Sequence, residues 1–177
     1  MILGLSTSTF TFLHVLISLV GLFTGFVTIG AMLFGNWLRG WNALFIFSTI
    51  ATSVTGFFFH SASFGPPHVI GIISLALLAV ALLALYPAHL AGRWRWIYVS
   101  SAIFALYLNS FVAVVQAYQK IPLLAVSAPT QSEPPFLASQ VVLLAVFVVL
   151  GFFSVKRFHP SSPARDIKTA LVVTDLR

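Results

Sequence analysis

Residues 10–34 read FTFLHVLISLVGLFTGFVTIGAMLF, an apolar run that holds one histidine, His14, and no Asp, Glu, Lys or Arg. An α-helix rises about 1.5 Å per residue and the hydrocarbon core of a bilayer is about 30 Å thick, so about 20 such residues cross it. A secretory leader has a basic start and an apolar core of roughly 7–15 residues ahead of a small-residue cleavage site. None of these marks this stretch, which is expected to stay in the protein as a first spanning helix.

Four further runs of the same kind follow: 41–59, after the polar break Asn36-Trp37-Leu38-Arg39-Gly40; 68–86, introduced by Gly65-Pro66-Pro67; 96–118; and 136–155. Proline suits the start of a helix, where its missing N–H has no partner to lose. The runs are continuous and do not alternate, and in lipid every backbone polar group must be satisfied within the element, so they are expected to be helices. The fold class that follows is an all-α polytopic membrane bundle of five spans, with a four-helix core and one peripheral apolar helix. Residues 1–155 form the transmembrane domain and 156–177 a polar tail without a fold of its own. The four prolines between Ile121 and Pro135 are expected to forbid a regular helix there, leaving an external loop or a segment folded back on the bundle.

Composition agrees. Of 177 residues, 59% are hydrophobic and 7% charged, with a mean hydropathy of +1.04; soluble domains carry roughly 25% charged residues. The lipid bilayer is therefore the partner of most of the surface. The net charge of +6 does not point to nucleic acid, because the basic residues sit in short breaks between apolar runs. With five spans, eight of the nine Lys and Arg residues fall on one side and only Lys120 on the other. The positive-inside rule makes the basic side cytoplasmic, which places the N-terminus outside and the C-terminus inside, in a bacterial inner membrane. Trp37, Trp41, Trp94 and Trp96 flank the same basic face, as interfacial anchors do.

Several chemistries are excluded by what the chain lacks. It has no cysteine, hence no thiolate catalysis, disulfide exchange or iron–sulfur ligation, and the three acids, Glu133, Asp166 and Asp175, lie outside the spans. That removes carboxylate-bridged di-iron chemistry and argues against a proton relay, which needs ionisable groups within the membrane. The absence of a lysine within a span excludes a retinal Schiff base, and no buried acid is available to orient the base of a hydrolase.

The positive features gather at the outer face. His14 lies inside the first helix, His60 ends the second and His68 begins the third; Gln116 and Lys120 on the fourth, and Glu133, belong to the same slab. Three imidazoles at one depth suit a metal ion, and two facing imidazoles a haem, so His14, His60 and His68 are the ligand candidates. Gln116 and Lys120 would support them, and Gln116 with a histidine could hydrogen-bond a quinone carbonyl. The plain alternative is that interfacial histidines are polar helix tips in water, the reading preferred for His60 and His68.

At about 100° per residue, His14, Ser18, Gly21, Gly25, Thr28 and Met32 share one small, polar face, which should point inward. The second helix carries Thr49, Ser53, Gly56 and His60 on a stripe, and the fourth Tyr98, Ala105, Asn109, Gln116 and Lys120. Asn109 lies near midplane, where a carboxamide needs a partner; interhelical hydrogen bonding is preferred, and a polar path from Asn109 through Gln116 to the histidines is the alternative. Three functions are consistent with these features, in this order: an accessory or interaction subunit of a membrane complex with other membrane proteins as partners, a small redox or ligand-binding protein holding haem, metal or quinone, and a small-solute channel or facilitator.

Overall fold

The computed structural model describes residues 1–2, 4–59 and 65–160. Its elements are α1 (Thr7–Leu33), α2 (Arg39–Gly56), α3 (Pro66–Leu85), α4 (Trp94–Lys120), the short α5 (Pro122–Ser127) and α6 (Pro134–Arg157), with no strand among the described residues. Local chemistry marks the helix starts. Ser6 Oγ accepts from the Thr9 N–H at the head of α1, which satisfies a donor that has no partner within the helix. Proline opens α3, α5 and α6, where its fixed φ and missing N–H cost nothing.

Four helices, α1, α3, α4 and α6, are long and apolar enough to cross a membrane. The remaining expected span, α2, has 18 residues. It carries Ser48, Thr49, Thr52, Ser53 and Thr55 and is not among those four. The packing is that of a protein dissolved in lipid. Thr24, Thr28, Asn42, Ser48, Thr49, Ser74, Ser101 and Ser110 are buried, whereas Phe12, Phe23, Phe47, Leu83, Val141 and Val148 are exposed. Contiguous apolar surface on this scale is not kept in water. The chain is an all-helical integral membrane protein.

α1 and α2 run antiparallel, with His14 level with Thr55 and Gly25 level with Phe45. α3 packs on α2 and α4, and α4 returns to α1, closing a four-helix ring. α4 is its most enclosed member, with 50% of its most apolar stretch buried, against 11% for α6. α6 lies along α4 and α1, with Phe147 against Tyr107 and Phe26. The inward face expected for α1 is the one observed: Gly21, Gly25, Thr28 and Met32 are buried, and His14 and Ser18 are half-buried.

Two expectations need correction. The proline-rich connection does contain a helix, because Pro122 occupies the N-terminal position of α5 and not its interior. The connection also folds back: Ala128 packs with Tyr118 and Phe136, Tyr118 Oη donates to Pro135 O at 3.0 Å, and Gln131 Nε2 donates to Val115 O at 3.1 Å. The structured part of the chain also reaches past residue 155. Phe158 is fully buried against Trp37, Arg95 donates to the Phe158 carbonyl, and Arg157 donates to Leu33 O. Residues 161–177, the rest of the expected tail, lie outside the described residues.

Candidate functional site

The basic end of the bundle is sealed. Trp37 packs edge-on against Tyr98, and Tyr98, buried, donates its hydroxyl hydrogen bond to Asn42 Oδ1. The other end, where α1 begins and α2 finishes, is less tightly filled. A partly open cavity of about 120 Å³ lies there, walled by α2, α3 and α4 and touched by His14 from α1. Its polar lining comprises His14, Thr49, Thr52, Ser53, His68, Ser74 and Asn109; Phe57, Ile70, Leu108 and Val112 supply apolar wall.

The site exists because small side chains hold the helices apart without filling the gap. Gly56 on α2 and Gly71 on α3 line it, and a Cβ at Gly56 would meet only the His14 ring, at 3.8 Å. On the far side of Asn109, Gly21 lets α1 approach closely: a Cβ there would lie 3.3 Å from Asn109 Nδ2 and 3.3 Å from Ser48 Oγ. Asn109 Nδ2 and Thr52 Oγ1 are enclosed and have no hydrogen-bond partner. A polar group so placed in a low-dielectric interior costs about 1–3 kcal/mol.

The α2 hydroxyls do not bond across to Asn109. Ser48 donates to Leu44 O, Thr49 to Phe45 O, Ser53 to Thr49 O and Thr55 to Ala51 O. These i to i−4 bonds let a hydroxyl-rich helix sit at membrane depth with all its hydroxyl protons but that of Thr52 satisfied within itself. One interhelical bond is present at this level: His14 Nδ1 lies 2.8 Å from Thr55 Oγ1, and the ring stands edge-on to Phe59. The interhelical partner expected for His14 is therefore found, whereas that expected for Asn109 is not.

Of the other residues singled out in the sequence, His68 lines the cavity and accepts the Gly65 N–H on Nδ1 at 3.2 Å, capping its own helix. His60 lies outside the described residues. Gln116 and Lys120 are exposed and do not line the cavity. α4 buries Tyr118 at this height, and residues two positions away on a helix point to the opposite side, about 200° round. Glu133 is engaged by its own loop, accepting from Thr130 Oγ1 at 2.8 Å and from the Ser132 N–H at 3.0 Å. Desolvation works against its charge, but the hydrogen bonds from Thr130 and Ser132 prevail and hold its carboxyl below the usual carboxylate value. His89 and His159 are exposed, as expected.

Among the described residues no three His, Asp or Glu side chains gather as a metal-ligand set. What the sequence did not single out is the contribution of α3. Gly71 and Ser74 sit in a run otherwise rich in Leu, Ile and Ala, and only the spacing of His68, Gly71 and Ser74, three residues apart, hinted at a common face. Searches against protein-family models, curated proteins and solved structures find no match for this chain.

Proposed function

We propose that the chain is a five-span, N-out and C-in protein of the bacterial inner membrane that binds a small molecule in the cavity at the outer end of its bundle. The observation that carries this reading is the cavity itself. It joins residues from four helices and places unpartnered polar atoms of Asn109 and Thr52 beside it, an arrangement that packing alone disfavours. Its size sets the scale of the ligand. A dry cavity of roughly 150 Å³ takes benzene, whereas drug-sized ligands need roughly 300–1,000 Å³. At about 120 Å³ and partly open, the cavity is on the scale of a single small ring and far too small for a haem macrocycle.

Treating α2 as the fifth span is supported by its register. It lies alongside α1 from Phe10 against Phe59 to Phe23 against Trp41, so it occupies the same depth as a helix that crosses. Four of its five hydroxyls, on Ser48, Thr49, Ser53 and Thr55, bond to its own carbonyls, which weakens the usual objection to polar residues at that depth. The orientation is supported by charge: of the six Lys and Arg among the described residues, Arg39, Arg93, Arg95, Lys156 and Arg157 lie at the sealed end and Lys120 at the cavity end. We place ligand binding ahead of an accessory-subunit role, because the exposed apolar face of α6 is accounted for by lipid alone. Metal or haem bound through His14, His60 and His68 would declare itself in metal analysis or the visible spectrum of the purified protein.

Saturable binding tests the proposal. In detergent, small aromatic molecules such as toluene and phenol are expected to raise the unfolding temperature of the full chain and to show a 1:1 isotherm. Gly56→Leu, which directs a branched side chain toward His14 and the cavity, should remove that binding, while Gly56→Ala should keep it. Absence of saturable binding to the native chain, or undiminished binding to Gly56→Leu, would count against the cavity as a site.

A further inference from the structure

The hydrogen-bond arrangement around the cavity sets its polarity. Thr55 has one hydroxyl proton and three neighbours within reach, Ala51 O at 2.7 Å, His14 Nδ1 at 2.8 Å and Thr52 O at 3.2 Å. A carbonyl oxygen can only accept. Were the proton given to His14, two oxygen lone pairs would face each other at 2.7 Å. The proton therefore goes to Ala51 O, Thr55 Oγ1 accepts from His14, and His14 carries its own proton on Nδ1. The neutral ring is left with a lone pair on Nε2, and Nε2 has no protein partner among the described residues.

Two hydroxyls on the α2 wall are turned the same way. Thr49 and Ser53 direct their protons to the Phe45 and Thr49 carbonyls, so toward the cavity their oxygens have only lone pairs left to offer. Asn109 Nδ2 and Thr52 Oγ1 have no partner and are enclosed by protein atoms; the lining also carries two donor groups, the Ser74 hydroxyl and His68, whose Nδ1 accepts from the Gly65 N–H and whose ring proton is therefore on Nε2. No Lys, Arg, Asp or Glu lines the space, and a bare charge brought there would lose its hydration without a counter-ion.

Resting on the ligand-binding reading above, we propose that His14 Nε2 is the acceptor that orients the ligand, so that the cavity takes neutral, ring-sized, membrane-soluble hydroxyl compounds of the phenol or quinol class, with the ligand hydroxyl donating to His14 Nε2.

Binding of four probes to the full chain in detergent tests this: phenol as the donor, anisole as its ether, and toluene and ethylbenzene as size controls for each. His14→Phe keeps a ring of similar bulk and removes Nε2. It should weaken phenol about tenfold, the equivalent of one buried hydrogen bond, and leave toluene and ethylbenzene unchanged. Thr55→Val removes the acceptor that fixes the His14 proton on Nδ1; the proton can then move to Nε2, and phenol should lose affinity while anisole gains it. Phenol and toluene responding alike in both variants would overturn the donor assignment while leaving the cavity as a site. If none of the four probes binds the native chain, the ligand-binding reading itself fails.

Discussion

Gly25→Ile should leave no stable folded bundle. A Cβ built on Gly25 falls 2.5 Å from Leu106 Cδ1 and 2.9 Å from Phe45 Cδ2. Phe45 and Leu106 are themselves fully buried and cannot swing away. Alanine at this position already forces α1 away from α2 and α4, at about 1–3 kcal/mol, and a branched side chain must push further. The neighbouring glycines calibrate the effect. Gly21→Ala meets Asn109 Nδ2 and Ser48 Oγ at 3.3 Å and should cost less. A Cβ at Gly30 would have nothing within 4 Å, so Gly30→Ala should raise stability, by about the 0.8–1 kcal/mol that separates the two residues in helix propensity. Thermal unfolding in detergent should rank the three positions in that order; equal tolerance would mean that this face is not an interface.

Phe158→Ala should be nearly as damaging, although the residue lies just beyond the last helix. Phe158 is 0% exposed, packs on Trp37 with ring centroids 5.3 Å apart, and gives its carbonyl to Arg95. Removing such a ring leaves a cavity that the surrounding helix ends cannot fill, and substitutions of this kind cost about 3–5 kcal/mol. Phe153→Ala makes the comparison: that ring lies on the exposed side of α6 beneath Arg157 and should change stability by well under half as much. A Phe158→Ala protein as stable as Phe153→Ala would show that the sealed end does not depend on this residue.

The helices were legible in the sequence because span length and apolar continuity are set by the bilayer, and the expected runs overlap α1, α2, α3, α4 and α6. The inward face of α1 was legible for the same kind of reason: Gly21, Gly25 and Thr28 stand out at helical spacing against Phe and Leu. Depth and rotation at the helix ends were harder to read. Gln116 and Lys120 share a face with Asn109 by periodicity, but Tyr118 is drawn in by Phe136 and Ala128, a contact made across the folded-back connection. Phe158 was missed because burial beyond a basic helix end depends on Trp37 and Arg95, which are distant in sequence. The hydroxyls of α2 looked like partners for Asn109; Ser48, Thr49, Ser53 and Thr55 bond within their own helix instead, and no residue pattern distinguishes the two outcomes.

An outward-facing cavity requires above all that α2 cross the membrane, because only then do the start of α1 and the α5 connection share the cavity side. The chain has no cysteine, so single substitutions report sidedness without background. A membrane-impermeant maleimide added to intact cells should label Thr7→Cys and Ser127→Cys, and should reach Gly40→Cys and Ala91→Cys only after lysis. Thr7→Cys and Ser127→Cys on opposite sides would remove α2 from the spans, and labelling of Gly40→Cys and Ala91→Cys in place of the other two would invert the protein; either result contradicts a five-span protein with its cavity outside.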